Sequence, residues 1–200
     1  MFEELFTRRS FTTFLLLAKG WAMSSLSHCL SHYIWLSGGT QYKHFSRFYL
    51  FLTETVWEMR RRLWLHFYRK LDALLPAGIL FVLIDDTLRK KSGKKIEGCS
   101  KYNNRAGSAR QEYRTLWGIN FVYMCLRIQW GAYRYSIPCG VRVYLKKPVA
   151  EDLDREHATR SGLARQMLEN LLEAMPHRRF HLIADGGYST AEMGQGLDQR

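Results

Sequence analysis

Asp85 and Asp86 close the apolar run Ile79-Leu80-Phe81-Val82-Leu83-Ile84, and Asp185 closes Phe180-His181-Leu182-Ile183-Ala184. Apolar runs of that length, bounded by turn residues, read as strands, so Asp86 is expected to end one strand and Asp185 another. If those strands are parallel neighbours, the two carboxylates meet at one sheet edge, where open α/β folds place their sites. Carboxylate oxygens gathered there suit Mg²⁺, a hard cation that takes oxygen ligands and shares itself with substrate phosphates. Phosphodiester chemistry is the expectation. The competing reading is turn chemistry, since an Asp ahead of Gly186-Gly187 is a common way to leave a strand, and spacing alone does not separate the two.

The stretch after Asp86 favours the chemical reading. From Arg89 to Arg114 there are nine basic residues against Glu97 and Glu112, and affinity for DNA scales with the phosphates neutralised. A solvated charged loop is the bland alternative. Tyr102, Asn103, Asn104 and Gly107 lie among the charges and offer stacking, amide hydrogen bonds and close backbone approach to a sugar-phosphate chain.

These residues need elements to hold them. The 200 residues carry 30 Lys and Arg against 18 Asp and Glu, a net +12, with 46% hydrophobic and 14% aromatic residues. That is a globular composition, not a disordered one, and its surface attracts polyanions. Charge is uneven: +5 over residues 1–78, +10 over 79–150 and −3 over 151–200. In the first region Phe11, Phe14, Leu15, Ala18 and Met23 recur at helical spacing, as do Phe51, Leu52, Val56, Met59, Leu63, Phe67 and Leu71, until Pro76-Ala77-Gly78 stops the pattern. Residues 79–84 read as a strand buried on both faces and 88–114 as loop. Trp117 to Ile128 and Tyr133 to Leu145 read as β segments joined in a hairpin, 157–175 as an amphipathic helix, and 180–184 as a strand. The order implies an α/β fold with a mixed sheet and helices packed on it.

Other features carry less. His28 and His32 are four apart without the Glu of a metalloprotease helix, and Cys29, Cys99, Cys125 and Cys139 lack zinc-site spacing. Trp57 and Trp64 share a helical face and read as core; Arg60-Arg61-Arg62 could grip phosphate or solvate a helix flank. Ser37-Gly38-Gly39-Thr40 lacks the ending of a phosphate loop and reads as a turn. Arg8-Arg9-Ser10-Phe11 imitates a twin-arginine signal, but Thr12, Thr13 and Lys19 interrupt the apolar stretch. No run reaches the roughly 20 apolar residues of a membrane span.

The segments Leu83-Ile84-Asp85-Asp86-Thr87-Leu88 and Lys90-Lys91-Ser92-Gly93-Lys94-Lys95-Ile96-Glu97-Gly98-Cys99, with Trp117-Gly118-Ile119-Asn120-Phe121-Val122 and Ile183-Ala184-Asp185-Gly186-Gly187-Tyr188, resemble insertion-sequence DDE transposases. More narrowly, they resemble the branch described as DDE superfamily endonucleases, with a ribonuclease-H-like nuclease domain. Lys43-His44-Phe45-Ser46-Arg47-Phe48-Tyr49 resembles the helical N-terminal module of that family. The resemblance implies a helical, DNA-binding module over 1–78 and the N-terminal part of the nuclease domain over 79–200, an incomplete ribonuclease-H-like mixed sheet. It implies DNA transposition, with Asp86 and Asp185 as catalytic residues and metal ligands, Asp85 as the lesser twin, and two Mg²⁺ ions replaceable by Mn²⁺.

DNA would be contacted by Lys90, Lys91, Lys94, Lys95, Lys101, Arg105, Arg110 and Arg114. The expected partners are transposon ends and target DNA, with a homo-oligomer compatible, no membrane, no small-molecule cofactor and a cytoplasmic location. The family pattern also asks for a Glu on a later helix. The chain stops fifteen residues after Asp185, and Glu192, the one Glu left, falls on the wrong element. The expectation is therefore a truncated transposase that does not cleave DNA by itself, the alternative being a non-catalytic protein that occupies transposon ends.

Overall fold

The helical spacing around Phe11, Phe14 and Ala18 produces α1 (Arg8–Met23), opened by Thr7, whose hydroxyl accepts from the Ser10 amide at 3.3 Å. The computed structural model describes residues 2–25, 29–53, 60–93, 95–104, 114–190 and 193. Within them α2 (Leu30–Leu36), α3 (Ser46–Thr53) and α4 (Arg60–Asp72) follow. The chain divides into two compact units, Met1–His66 and Phe67–Arg200, the division falling inside α4.

In the first unit α1 lies against α2 at Gly20, where a Cβ would collide with the Tyr33 carbonyl. Ile34 and Phe48 are fully buried, and Phe6 stacks on Phe14 with ring centroids 5.1 Å apart. Lys43 donates to the Arg9 carbonyl at 2.6 Å and to the Thr13 hydroxyl at 2.7 Å. Burial first, then Arg9 and Arg47, lowers the Lys43 pKa. Ser37-Gly38-Gly39-Thr40 is a turn, with Gly38 at φ +72° leading into a 3₁₀ turn over Gly39–Gln41.

The second unit is a mixed α/β structure, as its strand and helix patterning implies. Its strands are β1 (Leu80–Lys90), β2 (Ser100–Asn104), β3 (Arg114–Trp130), β4 (Tyr133–Tyr144) and β5 (Phe180–Ala184), with α5 (Lys147–Asp152) and α6 (Arg160–Ala174) between the last two. The sheet order is β2-β3-β1-β5, with β4 also on β3. The pairs of β3 are antiparallel; β1 and β5 run parallel. The β3–β4 hairpin turns through Gly131 at φ +61°, a conformation that suits a residue without Cβ. Thr159 caps α6 by accepting from the Gly162 amide at 2.9 Å, and Ala164, Met167, Leu168 and Leu171 are buried along one side of the helix. With Leu80, Val82, Ile84, Val122, Met124 and Leu126 they form the core. Tyr68 of α4 donates from its buried hydroxyl to the Cys139 carbonyl at 2.8 Å. All four cysteines are free.

Three sequence expectations change. β1 runs on through Asp86-Thr87-Leu88-Arg89-Lys90, paired with β3 as far as Gly118, so Asp86 lies within the strand and not at its end. Ladder hydrogen bonds use backbone groups and tolerate these polar side chains. The same physics places β2 inside the stretch read as loop, where Ser100–Asn104 pairs with Gly118–Arg114. Finally, β1 is buried on one face, not both: Leu80, Val82 and Ile84 are buried while Phe81 is 41% exposed. Among the described residues, no helix is long and apolar enough to cross a membrane.

Candidate functional site

Strand alternation decides which aspartate joins the core side of the sheet. Asp86 shares the face of Val82 and Ile84, whereas Asp85 projects to the other face, is exposed, and accepts from the Asp86 amide at 2.8 Å. Asp86 is half-buried and closely attended. Its Oδ2 accepts from Asn120 Nδ2 at 2.7 Å and lies 3.7 Å from Arg160 Nε; its Oδ1 is 3.5 Å from the Tyr188 hydroxyl. Asn120 comes from β3, Arg160 from the first turn of α6, and Tyr188 from the 3₁₀ turn Gly186–Tyr188 after β5.

Asp185 arrives by a different route. The last β1–β5 pair is Ile84 with Ala184, so the parallel register brings Asp185 abreast of the Asp85-Asp86 step. It caps the following turn, its Oδ1 accepting from the Gly187 amide at 3.0 Å, and it is exposed. The Tyr188 phenol ties the group together. It is nearly buried, at 4% exposure. Its pKa is raised first by burial and then by Asp86, with smaller pushes from Asp85 and Asp185 and an opposing pull from Arg160. It therefore remains a donor beside the carboxylates.

Asn120 is 3% exposed, and its Oδ1 is buried with no hydrogen-bond partner among the described residues. Its amide nitrogen is already committed to Asp86, so the oxygen is the acceptor end, left unsatisfied next to a carboxylate. A buried carbonyl in that state costs about 1–3 kcal/mol, which a cation or a polar hydrogen at that point would offset. Two carboxylates and one amide oxygen make an all-oxygen donor set of the kind that hard divalent cations take. Asp86, Asp185 and Asn120 are the residues whose oxygens could hold a metal; among the described residues no cluster of three His, Cys, Asp or Glu side chains forms.

The basic residues divide. Lys90 ends β1, Lys91 follows it, Lys95 sits in the turn before β2, and Lys101 is on β2; all four are exposed. Arg114 opens β3, but its side chain lies outside the described residues, as do Lys94, Arg105 and Arg110. Glu192, His28 and Trp57 are also outside them. Arg61 and Arg62 are exposed on α4, and Trp64 is half-buried there.

The sequence reading assigned no role to Asn120, Arg160 or Tyr188. Each left a signal: Asn120 is a lone amide in the otherwise apolar run from Leu116 to Leu126, and Arg160 stands directly after a helix cap. Tyr188 closes an Asp-Gly-Gly turn at a strand end.

A family model described as DDE superfamily endonuclease matches residues 34–200. The mixed sheet with flanking helices accords with the ribonuclease-H-like fold of such nucleases. No curated protein and no solved structure matches the chain.

Proposed function

The chain belongs to the DDE superfamily endonuclease family, and on that premise we propose that it is a transposase that cuts and joins DNA strands through Asp86 and Asp185. The family implies a DNA substrate and generally uses divalent metal ions. The observation that supports the reading is the parallel pairing of β1 with β5, whose register sets Asp185, just past the end of β5, abreast of the Asp85-Asp86 step within β1.

In this reading Asp86 and Asp185 hold Mg²⁺, or Mn²⁺ in its place, with the Asn120 oxygen beside them. When bound, the ions polarise a phosphodiester and favour both the attacking and the leaving oxygen. Asn120 fixes the rotamer of Asp86, so the carboxylate does not have to be ordered at the moment of reaction. Tyr188 keeps its proton next to Asp86. Lys90, Lys91, Lys94, Lys95 and Lys101, with Arg105, Arg110 and Arg114, neutralise backbone phosphates and position the duplex without reading its sequence. The substrates are the ends of a mobile element and a target duplex. Residues 1–78 supply a helical DNA-binding module and 79–200 the nuclease portion.

The test is nicking of supercoiled plasmid with Mg²⁺ or Mn²⁺, beside an Asp86→Ala control. Nicked product that needs the divalent ion and vanishes in the control supports the reading. Nicking that survives in the control, or proceeds in a chelator, contradicts it. A second reading, DNA occupancy without cleavage, is favoured by the absence of a three-carboxylate cluster among the described residues. It predicts tight DNA binding and no nicking in either ion.

A further inference from the structure

Helices favour anions at their N-terminal end, because the first-turn amides are unpaired and the peptide dipoles point their positive end outward. α6 has no acidic residue in its first turn and places Arg160 there instead. A cation at that end is unfavourable locally, so its position calls for a partner.

The side chain is held as if for one. Its guanidinium carbon lies 4.9 Å from the centroid of the Tyr144 ring, a cation–π interaction that orients the plane. Tyr144 is itself fixed: it is the β4 partner of Asn120 in the sheet register, and its carbonyl accepts from the buried Tyr102 hydroxyl at 3.2 Å. From this base Arg160 Nε reaches within 3.7 Å of Asp86 Oδ2. That is a loose ion pair, with the arginine side chain 44% exposed, and among the described residues the guanidinium makes no hydrogen bond. Asp86 already has its short hydrogen bond from Asn120. The Arg160 fork is therefore oriented, half in solvent, beside the carboxylate and largely unspent.

We propose that Arg160 is a substrate-binding residue of this site, taking the non-bridging oxygens of a DNA phosphodiester and setting that phosphate against Asp86 and Asp185. The inference rests on the nuclease reading above and deepens it. Guanidinium matches a phosphate with two parallel N–H bonds, which an ammonium does not. The phosphate oxygens also relieve the mismatch with the dipole of α6. The residue leans on Asp86 when no phosphate is present and turns to the phosphate when DNA arrives. Two consequences have opposite sign: Arg160 adds to DNA affinity, and it subtracts from the affinity of Asp86 for a cation.

The experiment measures both with the full chain. Fluorescence anisotropy with a short labelled duplex, in chelator and over a range of salt, compares wild type with Arg160→Ala and Arg160→Lys. Mn²⁺ binding without DNA is followed by the paramagnetic resonance of the free ion. Arg160→Ala should bind DNA about tenfold more weakly, the size of a lost charge-assisted hydrogen bond, with the salt slope reduced by about one. Arg160→Lys should keep the slope and recover part of the affinity. Mn²⁺ should bind Arg160→Ala about two- to fivefold more tightly, the worth of a half-exposed ion pair. A structural role alone would weaken both ligands together, and that result overturns the proposal. So does DNA affinity equal to wild type in both variants, which would leave the nuclease reading standing. Wild-type protein that binds no DNA would overturn that reading and this inference with it.

Discussion

The surroundings of Asp86 and Asp185 differ more than their shared edge suggests. Asp86 is inside a paired strand and faces three side chains, from β3, α6 and the turn after β5. Asp185 stands at a strand end and is exposed, with a backbone amide as its hydrogen-bond donor. One carboxylate is preorganised by the protein; the other is placed by the chain direction of β5 and is free to adapt. An oxygen ligand held in this way loses little freedom when a cation or a phosphate arrives, so in the proposed site the fixed carboxylate would set the geometry and the adaptable one complete it.

The contrast predicts a ranking. Asp86→Ala should be the most damaging change: nicking falls at least about a hundredfold, and the Asn120 amide is left buried with neither end paired, so Tm drops as well. Asp185→Ala should lose comparable activity but leave Tm close to wild type, because the cap of a surface turn is all that it removes from the fold. Equal losses of Tm in the two variants, measured by thermal denaturation, would break the comparison.

Charge reversal at Lys90, Lys91, Lys94 and Lys95 acts on neither carboxylate. It should weaken DNA binding alike for all sequences and lower the salt slope by about four, one for each phosphate no longer neutralised. Anisotropy titrations with two unrelated duplexes check this, and a sequence-dependent loss would count against it.

Asn120→Asp sharpens the comparison in a different way. It sets a second carboxylate against Asp86, so Tm without metal should fall, and added Mn²⁺ should restore more stability than it gives wild type. Restoration no greater than in wild type would show that the Asn120 oxygen does not face a cation.

How much of this the sequence displayed depends on the kind of signal. The strand core at Ile79–Ile84, the hairpin, the amphipathic α6 and the short apolar run before Asp185 announce themselves through side-chain periodicity, and the structure has them. β2 and the second half of β1 do not. Ser-Lys-Tyr-Asn-Asn and Asp-Asp-Thr-Leu-Arg-Lys are polar, and what makes them strands is backbone pairing with β3, which leaves no hydrophobic trace. Asn120 and Tyr188 were in view as letters of a motif, yet their proximity to Asp86 comes from β3 and β5 flanking β1, which no local window contains. The oddity of Arg160 is local, a cation at the end of a helix that prefers anions.

A separate effect is expected on stability in alkali. Burial raises the pKa of Tyr102 to about 12 from 10 and that of Cys139 to about 12 from 9, and it raises Tyr68 and Tyr188 too. Each must keep its proton to stay folded, so their contribution is intact below about pH 8, with that of Cys139 the first to fall. It is lost as pH climbs through 10 toward 12, where the unfolded chain ionises and the folded one does not. Denaturant midpoints at pH 8 and pH 11 should show that fall; a midpoint unchanged across the interval would contradict the burial of these groups.

The central claim is that Asp86 and Asp185 form one divalent-cation site, and calorimetric titration of Mn²⁺ into the full chain tests it most directly. Wild type should bind the ion saturably, Asp86→Asn and Asp185→Asn should each weaken that same binding, and Asp85→Asn, on the opposite face of the strand, should leave it nearly unchanged. Binding that survives both of the first two substitutions, or that is lost with Asp85→Asn instead, would contradict the account.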